Sequence, residues 1–146
     1  MIDKIKKLRA ETSVSIIECE KALKEAEGDM EKAKEILKEW GKNFAEQKKD
    51  RITSQGIIDS YIHPNKKVGV LLELNCETDF VSKAQYFHDL AHEVCLQIAG
   101  MGDTETPLLE QPWIKDPSRT IKDLVQEQIS KTGENIIVKR YIRYQL

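Results

Sequence analysis

With 146 residues, the chain has the length of one ordinary domain, or of a small module joined to a modest one. Its 23 Lys and Arg against 25 Asp and Glu leave a formal charge of −2, without the basic excess of a general nucleic-acid binder. Hydrophobic residues at 40% beside charged residues at 33% exclude a disordered composition, and no apolar run approaches the roughly 20 residues that span a bilayer. The opening MIDKIKKLRAE lacks the apolar segment and small-residue cleavage site of a secretory signal. Cys19, Cys76 and Cys95 are too widely spaced for a disulfide framework or a CxxC metal site, so a reducing cytoplasm is expected.

Charge density divides the chain. Residues 1–50 carry 12 basic and 12 acidic side chains, whereas residues 51–146 spread 11 and 13 over nearly twice the length. We therefore expect a charged helical module at 1–42, a polar linker at 43–54 that is itself helical in part, and a better-buried body at 55–146. Three short helices are predicted in the module. Ile2, Ile5 and Leu8 share a face of the first. Ser15-Ile16-Ile17-Glu18 has the form of a capping box, and Ile16, Cys19, Leu23 and Ala26 follow at helical spacing. That stripe turns Ile16 partly inward and leaves Ile17 off it. Gly28 supplies a left-handed helix end, Asp29 caps the third helix, and Met30, Ala33, Leu37 and Trp40 form its stripe. A unit this small is marginal alone, which suits a docking module.

In the body, GIIDSYIH and KVGVLLELN flank the turn signal Pro64-Asn65, and Val68, Val70, Leu72 and Leu74 alternate, which predicts a β-hairpin with one buried face. YFHDLAHEVCLQIAG predicts a helix with Phe87, Leu90, Ala91, Val94, Cys95 and Ile98 on one stripe, closed by Gly100. Pro107, Pro112 and Pro117 then mark a loop. A further helix runs through TIKDLVQEQISKTG, capped by Thr120 and stopped at Gly133, before the closing strand NIIVKRYIRY. The fold class is α+β: a three-helix module followed by an antiparallel sheet with helices on one face.

Little in the chain suggests catalysis. His88 and His92 stand four apart, a spacing that suits zinc, but HDLAH lacks the Glu of the metalloprotease pattern and both flank the apolar stripe. We read them as solvated helix-face histidines. Cys19 and Cys95 fall on apolar faces as small hydrophobes. GxxxxGK[ST], GxGxxG and GxSxG are all absent, so no catalytic residue, metal ligand or cofactor is assigned. Contact chemistry remains. Ile17 is a candidate exposed aliphatic. In LNCETDFVSKAQYF, Thr78 can cap a short turn, and Phe80 either closes the core or is presented to another protein; the residues alone leave both open.

The string N-x-E-T-D-F-V, lying between two further matching blocks, resembles the translation elongation factor Ts family. LRAETSVSIIECEKALKEAEGDMEKAKEILKEWG resembles that family's ubiquitin-associated-like module, and QPWIKDPSRTIKDLVQEQISKTGENIIVKRYIRY its C-terminal end. The chain departs from the family in having Ser13 for a usual Gly, Ile16-Ile17 for a Met pair, Lys83-Ala84 for an Arg-Asn-like pair, and room for only one core half. The resemblance implies a non-enzymatic guanine-nucleotide exchange factor that binds elongation factor Tu in its GDP-bound and nucleotide-free states. It implies that Thr78, Asp79, Phe80 and Val81 contact the partner, with Asp79-Phe80 displacing magnesium and GDP. It likewise implies that Arg9, Ile16 and Ile17 of the helical module grip the GTPase domain. Short family members imply a homodimer, with no direct contact to nucleic acid or membrane. The reading from a different class is a non-catalytic helical binding module on an α+β scaffold.

Overall fold

The apolar spacing of the first 48 residues becomes three helices, each begun or ended by local chemistry. A computed structural model describes residues 1–146, beginning with α1 (Ile2–Thr12), α2 (Ile16–Glu25) and α3 (Met30–Lys48). The α1 helix ends on Ser13, which adopts the left-handed conformation at φ 59°. Ser15 caps α2: its Oγ accepts the Glu18 N–H at 3.3 Å and donates to the Glu18 carboxylate at 3.2 Å. Asp29 caps α3 by accepting the Glu31 and Lys32 N–H groups at 3.0 and 3.1 Å. Leu8, Cys19, Ala22, Leu23, Ala26, Ala33 and Leu37 form the module's own small core.

The α3 helix continues past the module, through the first half of the expected linker to Lys48, so that irregular backbone is confined to 49–54. The cause is an apolar stripe that does not stop at Trp40: Phe44 and Ala45 extend it, and Ala45 is buried in the larger core. Gly41 lets the helix run close to a later one; a Cβ there would stand 3.1 Å from Ser130 Oγ. One helix thus belongs to both cores.

In the body, β1 (Gln55–Ile62) and β2 (Val68–Cys76) form the hairpin, with the Asn65 side chain accepting the Lys67 N–H at 2.9 Å in the turn. After the single helical turn α4 (Asp79–Ser82) comes α5 (Gln85–Met101), whose Phe87, Leu90, Ala91, Val94, Cys95 and Ile98 are buried against Val70, Leu72, Leu74 and Cys76 of β2. The α5 helix ends at Gly102 rather than at Gly100. Its last-turn carbonyls are served from the sheet, where Arg143 Nη2 donates to the Ala99 oxygen at 3.1 Å. The proline-rich segment expected as loop contains a small hairpin, β3 (Pro112–Trp113) and β4 (Asp116–Thr120). Buried Gln97 organises it, donating to Gln111 Oε1 and the Pro112 carbonyl and accepting the Ile114 N–H. The α6 helix (Ile121–Thr132) begins on a Thr120/Asp123 capping box and ends at Gly133, φ 74°.

The chain closes with β5 (Ile137–Gln145), antiparallel to β2, giving a three-stranded sheet of order β1-β2-β5. Helices α5 and α6 contribute their apolar stripes to the core on one side of this sheet. The opposite face carries Ile58 and Ile62 from β1, Leu71 from β2, and Ile142 and Tyr144 from β5, all exposed. Leu71 and Ile142 are direct register partners there. No helix is long and apolar enough to cross a membrane.

Candidate functional site

The turn that follows β2 is built to expose one residue and fix its neighbours. Thr78 is extended and its Oγ1 accepts the Val81 N–H at 3.3 Å, so it is the N-cap of α4, as its position in the sequence suggests. Asp79 and Phe80 occupy the outer side of that single turn. Phe80 is 81% exposed, the most solvent-accessible aromatic of the chain. The core placement left open for it does not occur, because the next residue takes the inward position: Val81 is only 2% exposed and packs in the main core. Val81, which the resemblance places among the contact residues, is thus buried and anchors the turn from below.

Further contacts hold the turn. Ser82 Oγ donates to the Asp79 carbonyl at 2.9 Å, and the Cys76 thiol to the Thr78 carbonyl at 3.3 Å. Burial, with the Glu134 charge nearby, pushes that thiol up to about 11. His88 Nε2 donates to the Ser82 carbonyl at 2.8 Å. His88 and His92 are both exposed on α5, and His88 serves as a tether for α4; no cluster of His, Cys, Asp or Glu suited to a metal ion is present. Asp79 faces Lys83 one turn on, with Oδ2 and Nζ 2.8 Å apart, and this ammonium holds the Asp79 carboxyl below its ordinary value.

A second set of contacts reaches across from the α6–β5 connection. Glu134 Oε1 accepts the Glu77 and Thr78 N–H groups at 3.1 and 2.9 Å, and its Oε2 accepts the Thr78 hydroxyl at 2.6 Å. In return, Glu77 Oε2 accepts the Asn135 N–H at 2.6 Å. Asn135, 3% exposed, donates its side-chain amide to the Lys49 and Arg51 carbonyls. Sequence reasoning passed over Glu134 and Asn135. The signal available was two adjacent polar residues wedged between the helix stop Gly133 and the apolar Ile136, where a surface loop would give no reason for Asn135 to be buried.

The module presents its own contact surface. Ile2, Ile5, Arg9, Ser13 and Ile16 line an open groove along α1 and the start of α2. Ile17 is 65% exposed, and Ile16 is 51% exposed rather than turned inward. Ile16 is the first residue of its helix and lies at the end of the groove along α1. Arg9, Ile16 and Ile17 are therefore all accessible.

Comparison with known proteins gives this geometry a context. The family model described as Elongation factor TS matches residues 1–102 and 77–146. The chain is similar to Elongation factor Ts of Coprothermobacter proteolyticus, 41% identical over 188 aligned positions that cover 97% of this chain and 95% of that relative. It is similar to Elongation factor Ts of Thermotoga maritima at 40% identity over 189 positions, covering 99% and 95%. For Elongation factor Ts of Thermoanaerobacter pseudethanolicus the identity is 35% over 187 positions, covering 97% and 92%. Each alignment is longer than the 146-residue chain, so these relatives carry residues with no counterpart here.

Proposed function

Because the chain belongs to the elongation factor Ts family, we propose that it is a guanine-nucleotide exchange factor in translation elongation, acting on elongation factor Tu in the cytoplasm. The observation that carries this reading is Phe80, a large apolar side chain held in solvent on a turn whose neighbours are pinned from several sides. An exposed Phe in a flexible loop would collapse onto the surface or lose its entropy on binding. One on a fixed turn is already organised for insertion.

The mechanism follows from linkage. An exchange factor binds the nucleotide-free partner more tightly than the GDP-bound one, and nucleotide weakens factor binding by the same factor. Phe80 acts as a wedge whose burial is completed only when the partner's magnesium and phosphate site is displaced, and Asp79 places a negative charge beside it. Burying a Phe contributes about 1.5–3 kcal/mol, which, realised only in the displaced state, speeds GDP release by about 10- to 150-fold. Thr78 shapes the turn. Arg9 and Ile16 in the groove of the helical module, with exposed Ile17 next in sequence, hold the GTPase domain, the docking role of residues 1–42, while residues 55–146 carry the wedge and the dimer contact. No covalent bond changes, so the GDP/GTP equilibrium is untouched and the nucleotide in excess sets the direction.

The partner set includes a second copy of the chain. What supports it is the outer face of the sheet, where exposed aliphatic and aromatic side chains from all three strands stand where a solvated antiparallel sheet would be polar.

The test is stopped-flow release of a fluorescent GDP from purified elongation factor Tu, with the wild type and with Phe80→Ala. Wild type should accelerate release strongly. Phe80→Ala should melt within about 0.5 kcal/mol of wild type, as an exposed substitution does, and lose at least 10-fold of the acceleration. A folded wild type without effect on release would end the exchange reading and favour the plain binding module.

A further inference from the structure

Thr78 Oγ1 has one proton and must serve two neighbours. It accepts the Val81 N–H, which begins α4, and it donates to Glu134 Oε2. A hydroxyl whose proton is drawn to a carboxylate is left with its lone pairs free for the helix N–H. The same carboxylate takes the two backbone N–H groups that precede the turn. Glu134 lies 56 residues from Thr78 in sequence and is itself fixed, its N–H donating to Thr132 Oγ1 at 3.2 Å while Asn135 beside it is buried. Glu77 closes the clamp from the other side through the Asn135 N–H. The α4 turn has only four residues and cannot hold its own shape, so its orientation depends on what grips it: Val81 in the core beneath, His88 at its last residue and Glu134 at its N-cap Thr78.

We propose that Glu134 is the positioning residue of the exchange site: it sets the orientation of the α4 turn and with it the presentation of Phe80. This rests on the exchange-factor reading above. Without Glu134, the Glu77 and Thr78 N–H groups turn to water, the Thr78 hydroxyl is free to rotate, and the wedge occupies its inserting orientation for only a fraction of the time. The groove of the helical module is untouched by that loss. Capture of the partner should therefore persist while the rate within the complex falls.

The experiment measures GDP release from elongation factor Tu against factor concentration for wild type, Glu134→Ala, Glu134→Gln, Phe80→Ala and the Phe80→Ala/Glu134→Ala pair, with thermal melting of each. For Glu134→Ala the maximal rate should fall about 10-fold while the half-saturating concentration stays within about 2-fold. Glu134→Gln should fall between, since its amide can accept the backbone N–H groups but cannot also accept the Thr78 proton. The pair should match Phe80→Ala alone, because Glu134 acts through Phe80. If Glu134→Ala fails to fold, Glu134→Gln, which keeps the side chain's size and its backbone contacts but cannot take the Thr78 proton, carries the test and should still lower the maximal rate at an unchanged half-saturating concentration. A Glu134→Ala maximum equal to wild type, beside a slow Phe80→Ala, would overturn the inference and leave the exchange reading standing. So would a further slowing by Glu134→Ala when Phe80 is already gone. A Phe80→Ala protein at the wild-type rate would remove the wedge itself, and the inference with it.

Discussion

Single positions show where this chain departs from what its backbone prefers. Ser13 ends α1 at φ 59°, a conformation that crowds any Cβ and that glycine adopts freely. The family resemblance puts a glycine at this place, so the serine carries a strain that its backbone N–H, bonded to the Arg9 carbonyl at 2.7 Å, does not remove. Ser13→Gly should stabilise the protein by about 0.5–1 kcal/mol, raising the melting temperature by about 2–4 °C. An unchanged or lower melting temperature would show that glycine's greater freedom in the unfolded chain outweighs the relief. Asp79 gives a second residue-level expectation. The Lys83 ammonium lowers its pKa, so the carboxylate stays charged as pH falls through the ordinary carboxylate range and protonates only below it. The pair's stabilisation is thus fully present above the ordinary value and lost as pH falls through the lowered one. Both groups are exposed, so the pair governs the charge offered by Asp79 far more than it governs folding. Removing the ammonium by Lys83→Ala should move the Asp79 carboxyl resonance to a higher titration midpoint by NMR. An unmoved midpoint would mean that the pair is not populated in solution.

At the scale of elements, the helices were legible from their apolar stripes, and α2, α3 and α6 from a side-chain cap as well. Ser15, Asp29 and Thr120 accept the N–H groups that a cap must accept, and Gly133 takes the left-handed position after α6. The hairpin was legible from the alternation of Val70, Leu72 and Leu74 across the Pro64-Asn65 turn. What escaped the sequence depends on partners far along the chain. The end of α3 was hidden because Phe44 and Ala45 look like part of a polar connector until α6 and the sheet are there to cover them. The β3–β4 hairpin was hidden because two prolines occupy its strands, and its organiser, Gln97, reads as an ordinary polar residue on a helix. The same holds at the site. Phe80 stood out in the sequence, but the inward turn of Val81 and the reach of Glu134 follow only from the packed arrangement. A continuous α3 has a mechanical consequence too: the helical module is joined to the body by helix through Lys48, so the groove and the body that bears Phe80 share a continuous helix rather than a loose tether.

For the whole molecule, the proposed dimer is tested at the outer sheet face. Ile58, Ile62, Leu71, Ile142 and Tyr144 retain exposures from 45% to 72%, so covering each recovers about half of a full side-chain burial, or about 1 kcal/mol. A two-fold interface counts every residue twice, giving about 10 kcal/mol gross. That is comparable with the association cost of about 4–15 kcal/mol, so a dimer formed through this face would be balanced closely enough for a few charges to abolish it. Cysteines offer it no covalent help. Cys19, Cys76 and Cys95 are all buried, and burial pushes the Cys95 thiol up to about 12, where it is neither a ready nucleophile nor an accessible one. Wild type should therefore sediment as a non-covalent dimer at micromolar concentration, with no dependence on reductant. Leu71→Glu/Ile142→Glu places two carboxylates on directly opposed strands at the middle of the face, hence four in the dimer. Both positions are about half exposed, so the folded protomer can solvate the new charges and should keep its circular dichroism spectrum while sedimenting as a monomer. A wild type that is monomeric at micromolar concentration would remove the dimer altogether. A charged variant that remains dimeric would move the interface off the sheet and leave this apolar face for the partner protein.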